Sequence, residues 1–302
     1  MTNENEQAPI VINSDRLQVE IAAPDTVYKG TRFDWTGFIT QVTLDGMHTF
    51  CVPEDYRPGK GTGGIGLCNE FSIQTPIGYA DAKPGELFPK LGIGLLRRPD
   101  QEDYNFFRTY EIAKAFPITI EKSADHVSFQ VSPLECRGYA VRLVKTLSVK
   151  ANRLDIAYRL ENTGSQFIVT NEYCHNFVGI DKQNMGPDYR MRFPYVLSYG
   201  DLEKDVHRGI SVLTVEGQDI RLKKTPVEQF YCRPSGVRVS SHYQWELTFL
   251  PTQVGLREMT DFVPLMVALW GDIHVISAEV FIDLNLPPGD SKTWTRSYEF
   301  FS

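Results

Sequence analysis

The chain has no excess of basic residues, no long apolar run and few cysteines, and each shortage removes a class of function. Lys and Arg number 31 against 38 Asp and Glu, a net charge of −7, and the basic residues are scattered. No positive stripe exists to neutralise a phosphate backbone, which argues against nucleic acid as a partner. Hydrophobic residues make up 42 % of the chain, but none of their runs approaches the roughly 18 to 20 residues needed to cross a bilayer. No membrane span is expected. Met1 to Asp15 is polar and acidic, without the basic and apolar regions of a secretion signal, so the expected location is cytoplasmic. The five cysteines are odd in number, far apart and without a C-x-x-C pair, a pattern of reduced, buried thiols rather than of disulfides or a zinc site. A long 3.6-residue apolar period, an internal repeat and a linker-like composition break are all missing. The expectation is a frayed stretch over 1–12 followed by one domain over 13–302, a length that can bury a large core.

What is present is period-two alternation. Tyr139, Val141 and Leu143 alternate with polar neighbours, as do Leu154, Ile156, Tyr158 and Leu160, the pattern of half-buried antiparallel strands. The short polar link Lys150-Ala151-Asn152-Arg153 predicts that these two strands pair as a hairpin. Further β-rich runs cover Val127 to Val131, Gly236 to Phe249 and Val275 to Leu286, with 23 Gly and 18 Pro in the gaps. Cys51 to Arg98 lacks alternation and reads as a long irregular excursion, either functional or a surface crossover.

Two clusters carry candidate chemistry. Asn171-Glu172-Tyr173-Cys174-His175-Asn176-Phe177 puts Glu, His and Asn among aromatics. Buried polar groups without partners cost about 1 to 3 kcal/mol each, so this strand reads as a site, although a lone strand histidine also occurs as a satisfied structural residue. Ala278-Glu279-Val280 sets a carboxylate inside an apolar strand. Glu279 is then either a surface-facing residue of an amphipathic strand or a desolvated base with a raised pKa.

The order of these pieces resembles the aldose 1-epimerase, or galactose mutarotase-like, superfamily. The shared features are the Asn162-Thr163-Gly164 turn, the H-x-F of His175 to Phe177, and the Glu279 strand closed by Pro288-Gly289-Asp290 and a terminal strand. Gly63-Gly64-Ile65-Gly66-Leu67-Cys68 and Phe88-Pro89-Lys90-Leu91-Gly92 are similar to segments of its hexose-6-phosphate mutarotase branch. The resemblance implies an all-β supersandwich of two large twisted antiparallel sheets, with a sugar held in the concave face of one. It implies His175 as the acid that protonates the ring oxygen and Glu279 as the base that takes the anomeric proton, a sensible division for a histidine that titrates near neutrality and a partly buried carboxylate. Mutarotation is an internal proton relay, so no cofactor and no metal are implied. The partner is a small-molecule carbohydrate, and the protein is a monomer or homodimer.

Three departures from the family pattern bear on the ligand. Its second, sugar-contacting histidine is replaced by Lys90 or Leu91. Thr62 stands where the branch has a phosphate-binding arginine, and Glu70 adds a carboxylate. The usual sugar phosphate is therefore not expected. Candidate ligand-binding residues are Lys90, Glu70, Arg32, Trp35, Asn69, Glu172, Asn176 and Arg108. Of these, Arg32 and Trp35 lie on an expected early strand over Gly30 to Gly37, where an indole face suits a sugar ring; an internal Arg32–Asp34 pair beside a core tryptophan is the alternative. If the catalytic reading holds, His175 and Glu279 face one cavity about a sugar ring apart, free of internal salt bridges, and Lys90 or Glu70 reaches that cavity. The competing readings are a non-catalytic carbohydrate-binding protein of the same fold and a structural or interaction protein.

Overall fold

A computed structural model of the chain describes residues 8–57, 59–196, 209–234 and 243–302. Among these, one sheet has nine strands. In hydrogen-bonded order it runs Ile10–Asn13, Leu17–Ala22, Phe38–Leu44, Gly66–Phe71, Ile168–Phe177, Val275–Leu286, Met266–Asp272 and Phe230–Cys232, and His48–Thr49 pairs onto Phe38–Leu44. A second sheet has ten strands and is built around Val141–Lys150, Arg153–Asn162 and Ser291–Phe301. A small third sheet joins Leu87–Lys90, Gly94–Arg97 and Ile112–Ala115. The strand pairs are antiparallel. No helix among the described residues is long and apolar enough to cross a membrane.

The expected hairpin forms with Lys150 opposite Arg153. Ala151 takes a positive φ of 49° in the two-residue turn, and Asn152 donates to the Phe300 carbonyl, tying the turn to the last strand. The alternating residues Leu143, Leu147, Leu154, Ile156 and Leu160 point inward. They meet Ile168, Cys174, Ile276, Ala278, Val280 and Ile282 of the nine-stranded sheet in one core cluster. All five cysteines are unpaired and buried.

A polar network crosses this core. Arg296 bridges Glu172 at 2.7 Å and Glu258 at 2.8 Å. Asn69 donates to Glu172, and Lys145 donates to Asn69, the Thr36 carbonyl and Asp34. Each of these side chains is almost fully buried, so each charge depends on its partners.

Several expectations change. Residues 10–13 form a paired strand, so the frayed segment does not extend to residue 12; residues 1–7 lie outside the described residues. Gly30 to Gly37 is turn and irregular backbone, and the strand begins at Phe38. Of Gly236 to Phe249, the described part is the strand Tyr243–Phe249; 236–242 lie outside the described residues. Cys51 to Arg98 is not an irregular excursion, because it supplies Gly66–Phe71 in the middle of the large sheet. All six residues of that strand are buried. With both faces covered, no polar alternation remains to be read. Its first residue must be glycine: Gly66 has φ 59°, and a Cβ there would lie 2.3 Å from the Ile39 carbonyl oxygen.

Candidate active site

Strand parity decides which side chains meet. On Ile168–Phe177 the even residues face the core between the sheets, while Tyr173, His175 and Phe177 face the other side. On Val275–Leu286, Ile276, Ala278 and Val280 face the core, and Glu279 and Phe281 share the outer face with His175. Tyr173 pairs with Phe281, and Val178 bridges Ile276 in the same register, which sets His175 level with Glu279. The His175 Nε2 and Glu279 Oε1 atoms are 3.1 Å apart. The imidazole stacks on Phe177 at 3.8 Å and 11°, with Phe33 and Trp270 edge-on.

This pair lies in the wall of a cavity of about 800 Å³. Its lining includes Arg32, Glu54, Gly61, Tyr104, Phe106, Phe107, Tyr231, Arg233, Met266, Trp270 and Phe281. Arg32 is held from behind: its Nε donates to Glu70 at 2.9 Å, one terminal nitrogen to Thr62 and the other to Tyr173. Phe33 and Phe106 both lie within cation–π distance of its guanidinium. Glu54 accepts from the backbone N–H and the hydroxyl of Thr62.

Burial pushes the Glu279 carboxyl up to about 8, with Glu70 adding to the shift and Arg32 opposing it. Burial and the nearby Arg32 charge hold His175 well below its ordinary value. Near neutral pH the pair therefore holds one proton, resting on Glu279, with the imidazole neutral. The carboxylate–imidazolium form of the pair has the acid and base roles exchanged. His175 Nδ1 is buried without a hydrogen-bond partner among the described residues, which leaves Nε2 as the working nitrogen.

Of the ten residues singled out in the sequence, the structure brings His175, Glu279 and Arg32 together at the cavity. Glu70 and Lys90 lie behind it, both fully buried. Lys90 donates to the Phe71 carbonyl, sits 3.6 Å from Glu70, and is pulled down to about 8 by burial. Neither reaches the cavity as expected, because Arg32, Tyr173 and Tyr104 lie against them. Trp35 is buried with its indole N–H on the Gly30 carbonyl. Asn69, Glu172 and Asn176 point into the core, on the opposite parity from His175. Arg108 is exposed and paired with Asp100.

The expected ring-width separation of His175 and Glu279 is also corrected, since the two touch. Glu54, Tyr231, Arg233 and Trp270 escaped the sequence reading. Each stands alone among unrelated neighbours, and only folding gathers them. Among the described residues no group of three or more His, Cys, Asp or Glu comes together as a metal site.

No model of a protein family matches the sequence, and no curated protein matches it either. Solved structures do match. A galactose mutarotase-like protein from Lactobacillus casei superposes with a TM-score of 0.62 at 13 % identity, covering 97 % of this chain and 100 % of its own. A galactose mutarotase-like protein from Clostridium acetobutylicum gives 0.56 at 9 % identity over 97 % and 94 % of the two chains. An aldose epimerase homologue from C. elegans gives 0.55 at 10 % identity over 97 % and 98 %. Coverage of nearly both whole chains in each comparison, together with the two large antiparallel sheets, identifies the architecture of this chain as the galactose mutarotase-like fold.

Proposed function

We propose that the chain binds an aldose or aldose derivative in this cavity and interconverts its anomers by opening and reclosing the ring. The observation that carries the reading is the His175–Glu279 contact in the cavity wall. Ring opening removes a proton from the anomeric hydroxyl and delivers one to the ring oxygen. Both oxygens are bonded to the same carbon, so neighbouring proton-handling groups on one side of the ring can serve both. A pair sharing one proton can take one and give one in the same event. Arg32, fixed by Glu70 and Tyr173, is placed to steady the oxygen on which negative charge develops. The aromatic lining supplies faces for the apolar side of a sugar.

The test is anomer equilibration of a panel of aldoses in plain buffer, followed by polarimetry or exchange NMR. The protein is expected to accelerate at least one aldose. Glu279→Gln keeps the side-chain shape but cannot relay the proton, and the expected loss is ~10² to 10⁴-fold in rate with binding retained. His175→Asn should behave alike.

The direct contact also favours a second reading, because groups that satisfy each other can serve a silent binding site. A protein that binds an aldose and accelerates none is then a carbohydrate-binding member of the fold.

A further inference from the structure

Among the described residues lining the cavity there are two arginines, and they are placed differently. Arg32 is engaged at all three nitrogens, and its charge is matched by buried Glu70. Among the described residues Arg233 makes one bond, from Nε to the Tyr231 hydroxyl at 2.9 Å, and no carboxylate pairs with it. That bond holds the guanidinium over Tyr231, and among the described residues neither Nη atom has a hydrogen-bond partner.

The sheet fixes where this edge stands relative to the reacting pair. Tyr231 pairs with Trp270 and Cys232 with Leu269, so the next residue, Arg233, falls beside Ala268. Ala268 pairs with Glu279, which is level with His175. One row across the sheet therefore reads Arg233, Ala268, Glu279, His175. At about 4.8 Å per strand, the Arg233 backbone stands roughly 10 Å from that of Glu279, and only the small buried Ala268 lies between. A sugar whose anomeric carbon meets the pair and whose ring lies along this row has its far end at Arg233.

Planar guanidinium edges grip carboxylates through two parallel N–H bonds. The charge balance selects the size of the anion. Arg32 is matched by Glu70, and Glu54 adds a negative charge to the same lining, so Arg233 is the one positive charge there without a carboxylate partner among the described residues. This suits a monoanion better than a phosphate ester of charge near −2.

We infer that the preferred ligand is an aldose bearing a carboxylate at the end remote from the anomeric carbon, a hexuronate, with Arg233 as its specificity-determining contact. This rests on the aldose reading of the cavity. The test is titration calorimetry on the full chain at low salt, with glucuronate and galacturonate against glucose, galactose and glucose 6-phosphate, alongside anomer equilibration of the same sugars.

Uronate is expected to bind roughly 10- to 100-fold tighter than its parent hexose, the weight of a charge-assisted bidentate contact. In Arg233→Gln that ratio falls to about one. Arg233→Lys, which keeps the charge and loses the fork, falls between. The inference is overturned if the parent hexose binds as tightly as the uronate, if the phosphate ester binds tighter than the uronate, or if the ratio survives in Arg233→Gln. Selective uronate binding without accelerated equilibration upholds this inference and removes the anomer-converting function. Accelerated equilibration of neutral aldoses without uronate preference does the reverse.

Discussion

At the residue scale the proposed chemistry rests on one shared proton. The His175–Glu279 pair is competent while it holds one proton, so the rate should be level from below pH 6.5 up to about 8 and fall above it as Glu279 ionises. An ordinary carboxylate, with a pKa near 4.3, would give no alkaline limb there. A pH profile of the equilibration rate between 5 and 9.5 separates the two. The same group opposes folding. Unfolded Glu279 loses its proton near 4.5 and the folded one at about 8. Between these values the native state holds the extra proton, and stability falls as pH rises. At pH 7 the cost is about 3 kcal/mol, from 1.36 kcal/mol per pKa unit. Glu279→Gln should therefore melt higher than the wild type, and by more at pH 8 than at pH 5. An unchanged melting difference across that range would mean that Glu279 is not desolvated. His175 acts in the opposite window: its lowered value makes stability fall as pH drops below 6.5.

At the element scale, one strand serves two purposes by alternation. Ile168–Phe177 turns Tyr173, His175 and Phe177 to the cavity and Glu172, Cys174 and Asn176 to the core. Glu172 is a carboxylate three residues from His175 with the reverse role. It accepts from Arg296, Trp294 and Asn69, and its loss would leave Arg296 with Glu258 and the Val280 carbonyl. Glu172→Gln should destabilise by about 1 to 3 kcal/mol, because Arg296 and Trp294 lose a charged acceptor, while a fully folded sample at low temperature still binds ligand. Paired with Glu279→Gln, which gains stability and loses rate, this gives opposite signs for two glutamates flanking one histidine. Thermal melts and calorimetric binding on both variants read the difference directly. If Glu172→Gln loses binding while remaining folded, the core placement of Glu172 does not describe its role.

At the scale of the whole molecule, both sheets close on one continuous hydrophobic cluster, and the Glu172–Arg296–Glu258 network spans them. Neither sheet can keep its inner face without the other. Denaturant unfolding should accordingly show one transition, with tryptophan fluorescence and far-UV circular dichroism coincident. Trp245 and Trp294, both buried and both bonded to network carboxylates, report on the junction itself. Two separated transitions would show that the expected single domain over 13–302 is instead two folding units.

What was legible in the sequence was whatever a local period or a short motif can carry. The hairpin of Val141–Lys150 with Arg153–Asn162, the strand Val275–Leu286, and His175 and Glu279 as the residues to watch could all be read from alternation and from polar groups out of place in an apolar run. Strand Gly66–Phe71 was hidden because burial on both faces erases alternation. Lys145, set between Leu143 and Leu147 in the inward row, was legible as an anomaly only once the partners Asp34 and Asn69 were seen to arrive from other strands. The tertiary structure alone decided that Glu172 and Asn176 belong to the core, that Glu70 and Lys90 stand behind Arg32, and that Arg233 reaches the row of Glu279. A chain writes its strand faces locally, through a period of two residues. Which strand lies beside which, and therefore which charge meets which, is set by pairings between segments a hundred or more residues apart in sequence, as between Gly66–Phe71 and Ile168–Phe177 or between Arg153–Asn162 and Ser291–Phe301, and no local pattern encodes them.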